Sequence, residues 1–328
     1  MLMRGRGAWD RFWFHPVDLR GLALARMATA LAGLWTAWEY LGILGHLTYP
    51  GGVPPEASAL WAGRSIMGPL AGLGFLSAPP GPHLLLLALA ISLAALGLGY
   101  RTALAGGFSW GILFWFQTRN PIVLNGGDEF LRLVLFYLAL GHLAIPLRFR
   151  RWSVDSLRAG EHIRPGPSRL EAALSAWRNH WHSDAMPPAW PVRLLQLQLV
   201  TLYLTSGLWK ASGTEWRDGT GLWLALTNPS ISRIPVPDTV EIQGLFLVLG
   251  LATFAWQLLF PVLVWLPSTR WAILMGGIAF HLFTGVLMQL GPFPAVILAS
   301  YPAFLFMGSR GEAGGAGEGT SSPGWGIN

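Results

Sequence analysis

The chain has 328 residues, 52% of them hydrophobic and 12% charged, with a formal net charge of +6 and no cysteine. A soluble protein of this length needs more charge on its surface, so the composition places the chain in a membrane. The lack of cysteine excludes disulfides, thiol redox relays, Fe–S clusters and cysteine-ligated metals, and arginines clustered beside apolar runs read as membrane orientation, not nucleic-acid binding.

The basic, aromatic N-terminus, MLMRGRGAWDRFWFHPVDLR, precedes an apolar stretch too long for a signal-peptide core, which reads as a retained first span. Membrane-length apolar stretches fall near residues 21–45, 83–100, 102–119, 129–146, 192–210, 241–266, 270–290 and 293–308. Each approaches the length needed to cross ~30 Å of hydrocarbon, so the expected fold is all-α, a polytopic integral membrane bundle of about eight helices. Arg4, Arg6 and Arg11 precede the first span and Arg101 separates the second from the third. A run from Arg148 to Arg193 fills the fourth connection, while Arg270 and Arg310 follow the sixth and eighth spans. Alternate connections are thus arginine-rich, which puts both termini in the cytoplasm. A multi-pass protein of a bacterial inner membrane is expected, with lipids as its surroundings.

Residues 168–183, SRLEAALSAWRNHWHS, align Leu170, Ala173, Leu174, Trp177 and Trp181 on one stripe, the pattern of an interfacial amphipathic helix. His180 and His182 there make a poor metal site, with only Asp184 nearby, and no metal is expected. Residues 309–328 read as a disordered tail.

Polar residues converge on the non-cytoplasmic side. Asn125 and Asp128 stand in NGGD just before a helix start, where Asp128 suits an N-cap and the glycines permit a tight turn or close approach. Gln196, Tyr203, Gly207 and Lys210 are spaced 7, 4 and 3, on one helix face. Lys210 is the only lysine of the chain. Arginine stays charged, whereas a desolvated lysine can lose its proton and act as a base; the plain alternative is a snorkelling ammonium. Glu215, Trp216 and Asp218 follow at the same mouth, with Trp216 also suited to anchor at the interface. His281 lies between Gly277 and Gly285, with Gln289 on the same stripe, leaving room for a neighbouring helix or a flat ligand. Arg26 can snorkel to the cytoplasmic surface, Glu39 and His46 border the outer end of the first span, and His142 reads as structural.

The run YLTSGLWKASGTEWRDG resembles the small-Gly-x-Lys…Trp-x-x-Gly signature of the horizontally transferred transmembrane (HTTM) domain, the membrane part of vitamin K-dependent gamma-carboxylase. FHLFTGVLMQLGPFP resembles its His…Gly-x-Phe helix, and WSVDSLRAG the loop after its fourth span. The resemblance covers roughly residues 10–308, and lipase maturation factors carry a related Lys…Trp stretch. It implies an HTTM-like domain over 1–308 and an outward-facing site with a lyase-like, quinol- and oxygen-dependent activity. In the carboxylase, the lysine matching Lys210 serves the reduced vitamin K and oxygen chemistry that removes a proton from glutamate before carbon dioxide adds. The expected cofactor is therefore reduced vitamin K or a related isoprenoid naphthoquinol. Lys210 and His281 are the expected catalytic residues, and Asn125, Asp128, Tyr203, Trp216 and Gln289 the expected quinol-binding set. Against the family pattern, nothing in these residues is expected to supply its large luminal domain, Asp128 stands where a histidine is expected, and Gln257 where a glutamate is frequent. The acceptor is open: a small molecule, a lipid or a peptide. The rival expectation is a non-enzymatic maturation or export factor, in which Lys210 pairs with Asp218, Glu215 or Asp128.

Overall fold

A computed structural model describes residues 2–48, 79–119, 124–145, 152–155, 157, 187–234 and 239–306, and the described residues form an all-helical bundle. The helices are α1 (Leu2–Phe14), α2 (Arg20–Gly42), α3 (Leu44–Thr48), α4 (Gly81–Leu98), α5 (Thr102–Arg119), α6 (Gly126–Ala144) and α7 (Trp190–Ser212). They continue with α8 (Thr214–Arg217), α9 (Gly221–Thr227), α10 (Val240–Leu263), α11 (Pro267–Leu287) and α12 (Phe293–Leu298), ending in a 3₁₀ turn, Tyr301–Phe304. Three of them, α4, α10 and α11, are long and apolar enough to cross a membrane. The interfacial helix expected over 168–183, with His180 and His182, lies outside the described residues, as does the tail.

Helix boundaries follow local chemistry. Prolines open α4, α7 and α11, where a missing N–H costs no hydrogen bond. Gly99 closes α4 in a left-handed conformation at φ +71°. Asn125 caps α6 by accepting from Gly127 N, while Asp128 reaches back to Asn125 N, a complete capping box. The basic, aromatic N-terminus is itself a helix, α1.

The last apolar stretch is not a continuous helix. Pro294 and Pro302 lack N–H groups, and the chain runs as α12 followed by the 3₁₀ turn. It nevertheless travels the height of the bundle. Phe293 stands against Gly127 at one end, where an added Cβ would meet its ring at 2.9 Å. At the other end the Arg20 guanidinium lies 4.4 Å from the Phe306 ring. Between them Gln196 Nε2 donates to Ala303 O at 2.6 Å, tying α7 to the turn.

Arg26 does not snorkel. It is 1% exposed and donates to Leu96 O at 2.7 Å, Gly97 O at 3.1 Å and Trp152 O at 2.6 Å. Those carbonyls end α4 and begin the 152–155 segment, so an inward turn satisfies groups that a short apolar helix would otherwise orphan. Asp155 completes the joint by accepting from Arg101 N, Thr102 N and Thr102 Oγ1 at 2.7, 3.0 and 2.8 Å, which caps α5. A side chain at Gly99 would run into Ser153 and Arg26.

Candidate functional site

Two buried polar clusters occupy the bundle. In the first, Tyr203 Oη lies 2.7 Å from His281 Nε2 and 2.7 Å from Tyr301 Oη. The three come from α7, α11 and the 3₁₀ turn, and Tyr203 and His281 are 2% and 1% exposed. Trp256 and Phe260 of α10 pack on the Tyr203 ring at 4.7 and 4.4 Å between centroids. Gly277 makes the arrangement fit, because a Cβ there would strike the Tyr301 hydroxyl and come within 2.7 Å of Trp256. The space between the glycines of α11 is thus filled by neighbouring elements, Tyr301 and Trp256 at Gly277 and Pro294 at Gly285. His281 Nδ1 has no partner although it is buried, and the rings of Phe280 and Phe293 flank the imidazole at 5.0 and 5.9 Å. Such an atom in a bundle core is costly unless something pairs with it.

The second cluster joins α2, α5 and α6. Tyr40 Oη donates to Asp128 Oδ1 at 2.9 Å, while Gln117 Nε2 donates to Asp128 O at 3.0 Å and approaches Tyr40 Oη at 3.3 Å. Asp128 is thus both helix cap and acceptor for a tyrosine from another helix. Phe293 touches both clusters, its ring beside His281 and against Gly127.

Lys210 stands apart from both. It is half-buried near the end of α7, seven residues beyond Tyr203, or about 10 Å along the helix axis. Its Nζ is 4.8 Å from the centre of the Trp216 ring, which also packs closely against Gly221. Among the described residues no carboxylate lies within 4 Å of it. Asp218 instead accepts from Thr220 Oγ1 and Thr220 N at 2.7 and 3.0 Å. Those bonds, the hydroxyl first, hold its exposed carboxyl below the usual carboxylate range.

The sequence-derived set is therefore divided. Tyr203 meets His281, Asn125 meets Asp128, and Lys210 meets Trp216, as three local pairs. Gln289 leaves the His281 stripe because α11 ends at Leu287 and the chain turns extended at Met288. Its N donates to Ile231 O at 2.6 Å and its Nε2 to Ser232 O at 3.2 Å. With Glu39, Arg233 and Gly291 it lines an open cleft of about 520 Å³. Tyr40, Gln117 and Tyr301 were not singled out in the sequence, whereas Phe293 is the phenylalanine of the Gly-x-Phe motif. Tyr301, between Ser300 and Pro302, had a readable signal in the break it makes in an apolar run. Gln257 is buried with Oε1 unpaired, and among the described residues no three His, Asp or Glu side chains gather as metal ligands.

Comparison with known proteins agrees with this outline. The family model of the HTTM domain matches residues 167–308, so the resemblance carried by the lysine motif and the His281 helix is shown for this stretch. The chain is also similar to the uncharacterized protein YitO of Bacillus subtilis, at 23% identity over 241 residues covering 66% of this chain and 70% of YitO. No solved structure matches it.

Proposed function

We propose that this membrane chain, with its HTTM domain over residues 167–308, is a quinol- and oxygen-dependent enzyme of the vitamin K-dependent carboxylase type. In this reading seven long helices and the broken stretch 293–306 make eight passes through a bacterial inner membrane. Both termini are cytoplasmic, and the site opens on the outer side.

The observation that carries the reading is the setting of Lys210. An ammonium held by a carboxylate leaves that carboxylate unpaired and buried when the proton departs. Lys210 rests against the Trp216 indole with no carboxylate beside it among the described residues, so it can exchange a proton without orphaning a partner. The indole face then stabilises the ammonium after a proton is taken up at Nζ. The maturation-factor reading needs Lys210 in an ion pair; among the described residues none of Asp218, Glu215 and Asp128 lies within 4 Å of it, Asp218 bonding Thr220 and Asp128 bonding Tyr40.

The chemistry of the residues around His281 supports a naphthoquinol as the ligand. The unpaired His281 Nδ1, between Phe280 and Phe293, offers one polar atom in an aromatic setting, the combination that a ring hydroxyl requires. When bound, the reduced quinone supplies, with oxygen, the base that takes a proton from the acceptor. Tyr203 orients the His281 ring through Nε2, and Tyr301 orients Tyr203. Trp256, Phe260 and Phe293 exclude water from the same layer.

The test is oxygen-dependent turnover of reduced vitamin K by the purified protein, with quinone epoxide followed by mass spectrometry. Wild type is expected to form epoxide and Lys210→Arg to form none while melting like wild type. Equal epoxide from both, or none from folded wild type above a protein-free control, removes the enzyme reading.

A further inference from the structure

None of the buried tyrosine–histidine chain lines the open cleft, whose lining carries opposite charges that do not pair with each other among the described residues. Glu39 comes from the end of α2, where Trp35 Nε1 donates to its Oε1 at 3.0 Å. Arg233 comes from the segment that follows α9, where its Nε donates to Met288 O at 2.9 Å and its backbone N to Leu287 O at 2.8 Å. Segments 231–233 and 287–289 are laced together by these bonds and by Gln289 N to Ile231 O. Arg233 is thus anchored through Nε, and among the described residues its two terminal nitrogens bond nothing. Glu39 is likewise held through one oxygen. No ion pair within 4 Å joins the two among the described residues, although both line the same 520 Å³ space. Gly291 keeps one wall low: at φ +54° it adopts a conformation that side chains disfavour, and nothing stands within 4 Å of the position its Cβ would take.

Two unlike charges lining one opening, each with hydrogen-bonding capacity to spare, are complementary to a single head that bears both charges. We propose that the cleft bounded by Glu39, Arg233 and Gln289 binds a ligand carrying an ammonium and an acidic group on one short head. Glu39 takes the ammonium, Arg233 takes the acid through its terminal nitrogens, and the Gln289 amide oxygen is a second acceptor for the ammonium. Two sources share this chemistry: the headgroup of phosphatidylethanolamine and a free α-amino acid. The exposed Trp35, Trp38 and Leu41 beside Glu39 give a lipid tail an apolar surface to follow. The inference stands apart from the quinol reading, because its test measures binding and not turnover.

The experiment uses the full chain in phosphatidylcholine nanodiscs. In one arm phosphatidylethanolamine or phosphatidylglycerol is added and the lipid retained is counted by native mass spectrometry. In the other arm radiolabelled alanine is measured by equilibrium dialysis. Wild type is expected to retain the ethanolamine lipid over both others, or to bind alanine saturably. Glu39→Gln and Arg233→Gln should each weaken whichever binding occurs by about tenfold. Both side chains are exposed, so both variants should melt like wild type. The lipid arm alone responding assigns a headgroup site; the alanine arm alone assigns an amino-acid site. No preference in either arm, binding unchanged in both variants, or phosphatidylglycerol held as well as phosphatidylethanolamine with loss only in Arg233→Gln, overturns the proposal.

Discussion

Tyr203 and His281, 78 residues apart in the chain, share a 2.7 Å hydrogen bond in the dry interior, and the same hydroxyl meets Tyr301. Replacing Tyr203 with Phe keeps the ring packing against Trp256 and Phe260 but leaves two buried polar groups without their common partner. A loss of about 1–3 kcal/mol is expected, read as a lower melting temperature in detergent. A Tyr203→Phe variant that melts like wild type would show that the bond contributes nothing.

Gly277 sits where the Tyr301 hydroxyl and Trp256 converge. Gly277→Ala should cost about 1–3 kcal/mol, since neither neighbour is a flexible end free to move aside. Gly244, in α10, has nothing within 4 Å of its would-be Cβ. Gly244→Ala should therefore be neutral or stabilising by about 0.5–1 kcal/mol. Thermal melting of the pair reports local crowding with helix propensity as the internal control.

Arg26 serves three carbonyls from two segments. Arg26→Lys is expected to unfold well below wild type, because one ammonium cannot span Leu96, Gly97 and Trp152 as a planar guanidinium does. The loss should be on the order of 2–3 kcal/mol, measured as melting temperature and as protease sensitivity of the 152–155 segment. A snorkelling arginine would accept lysine without loss.

The bonds from Thr220 hold the Asp218 carboxyl low, so protonating it costs more in the folded state than in the unfolded chain. Its contribution to stability is fully present above the ordinary carboxylate value of about 4 and is lost as pH falls through the lowered one. Melting curves of wild type and Asp218→Asn should differ at neutral pH and converge in acid. The same offset at every pH would assign the effect to packing.

Most of the bundle was legible because most of the long apolar runs are bounded by proline, glycine or a cap. Lys210 and Trp216 were legible as neighbours at one mouth, being close in sequence, but the helix cap expected at Asp128 is Asn125, with Asp128 completing the capping box from the third helical position. Periodicity gives a residue's face but not the neighbour on that face. Nothing in the spacing of α7 selects Tyr301 over a dozen other side chains, and Arg26 looked free to reach the surface. The eighth span misled for a related reason: its composition is that of a helix, while Pro294 and Pro302 set its backbone.

Phe293 has a consequence for how the two clusters relate. One half-buried ring, at the foot of the stretch that leaves the cleft at Gly291, rests against Gly127 on one side and His281 on the other. A molecule that displaces it to reach His281 also unpacks the turn that presents Asp128. Both clusters then answer the displacement of one ring, so a change at either is felt by the packing of the other.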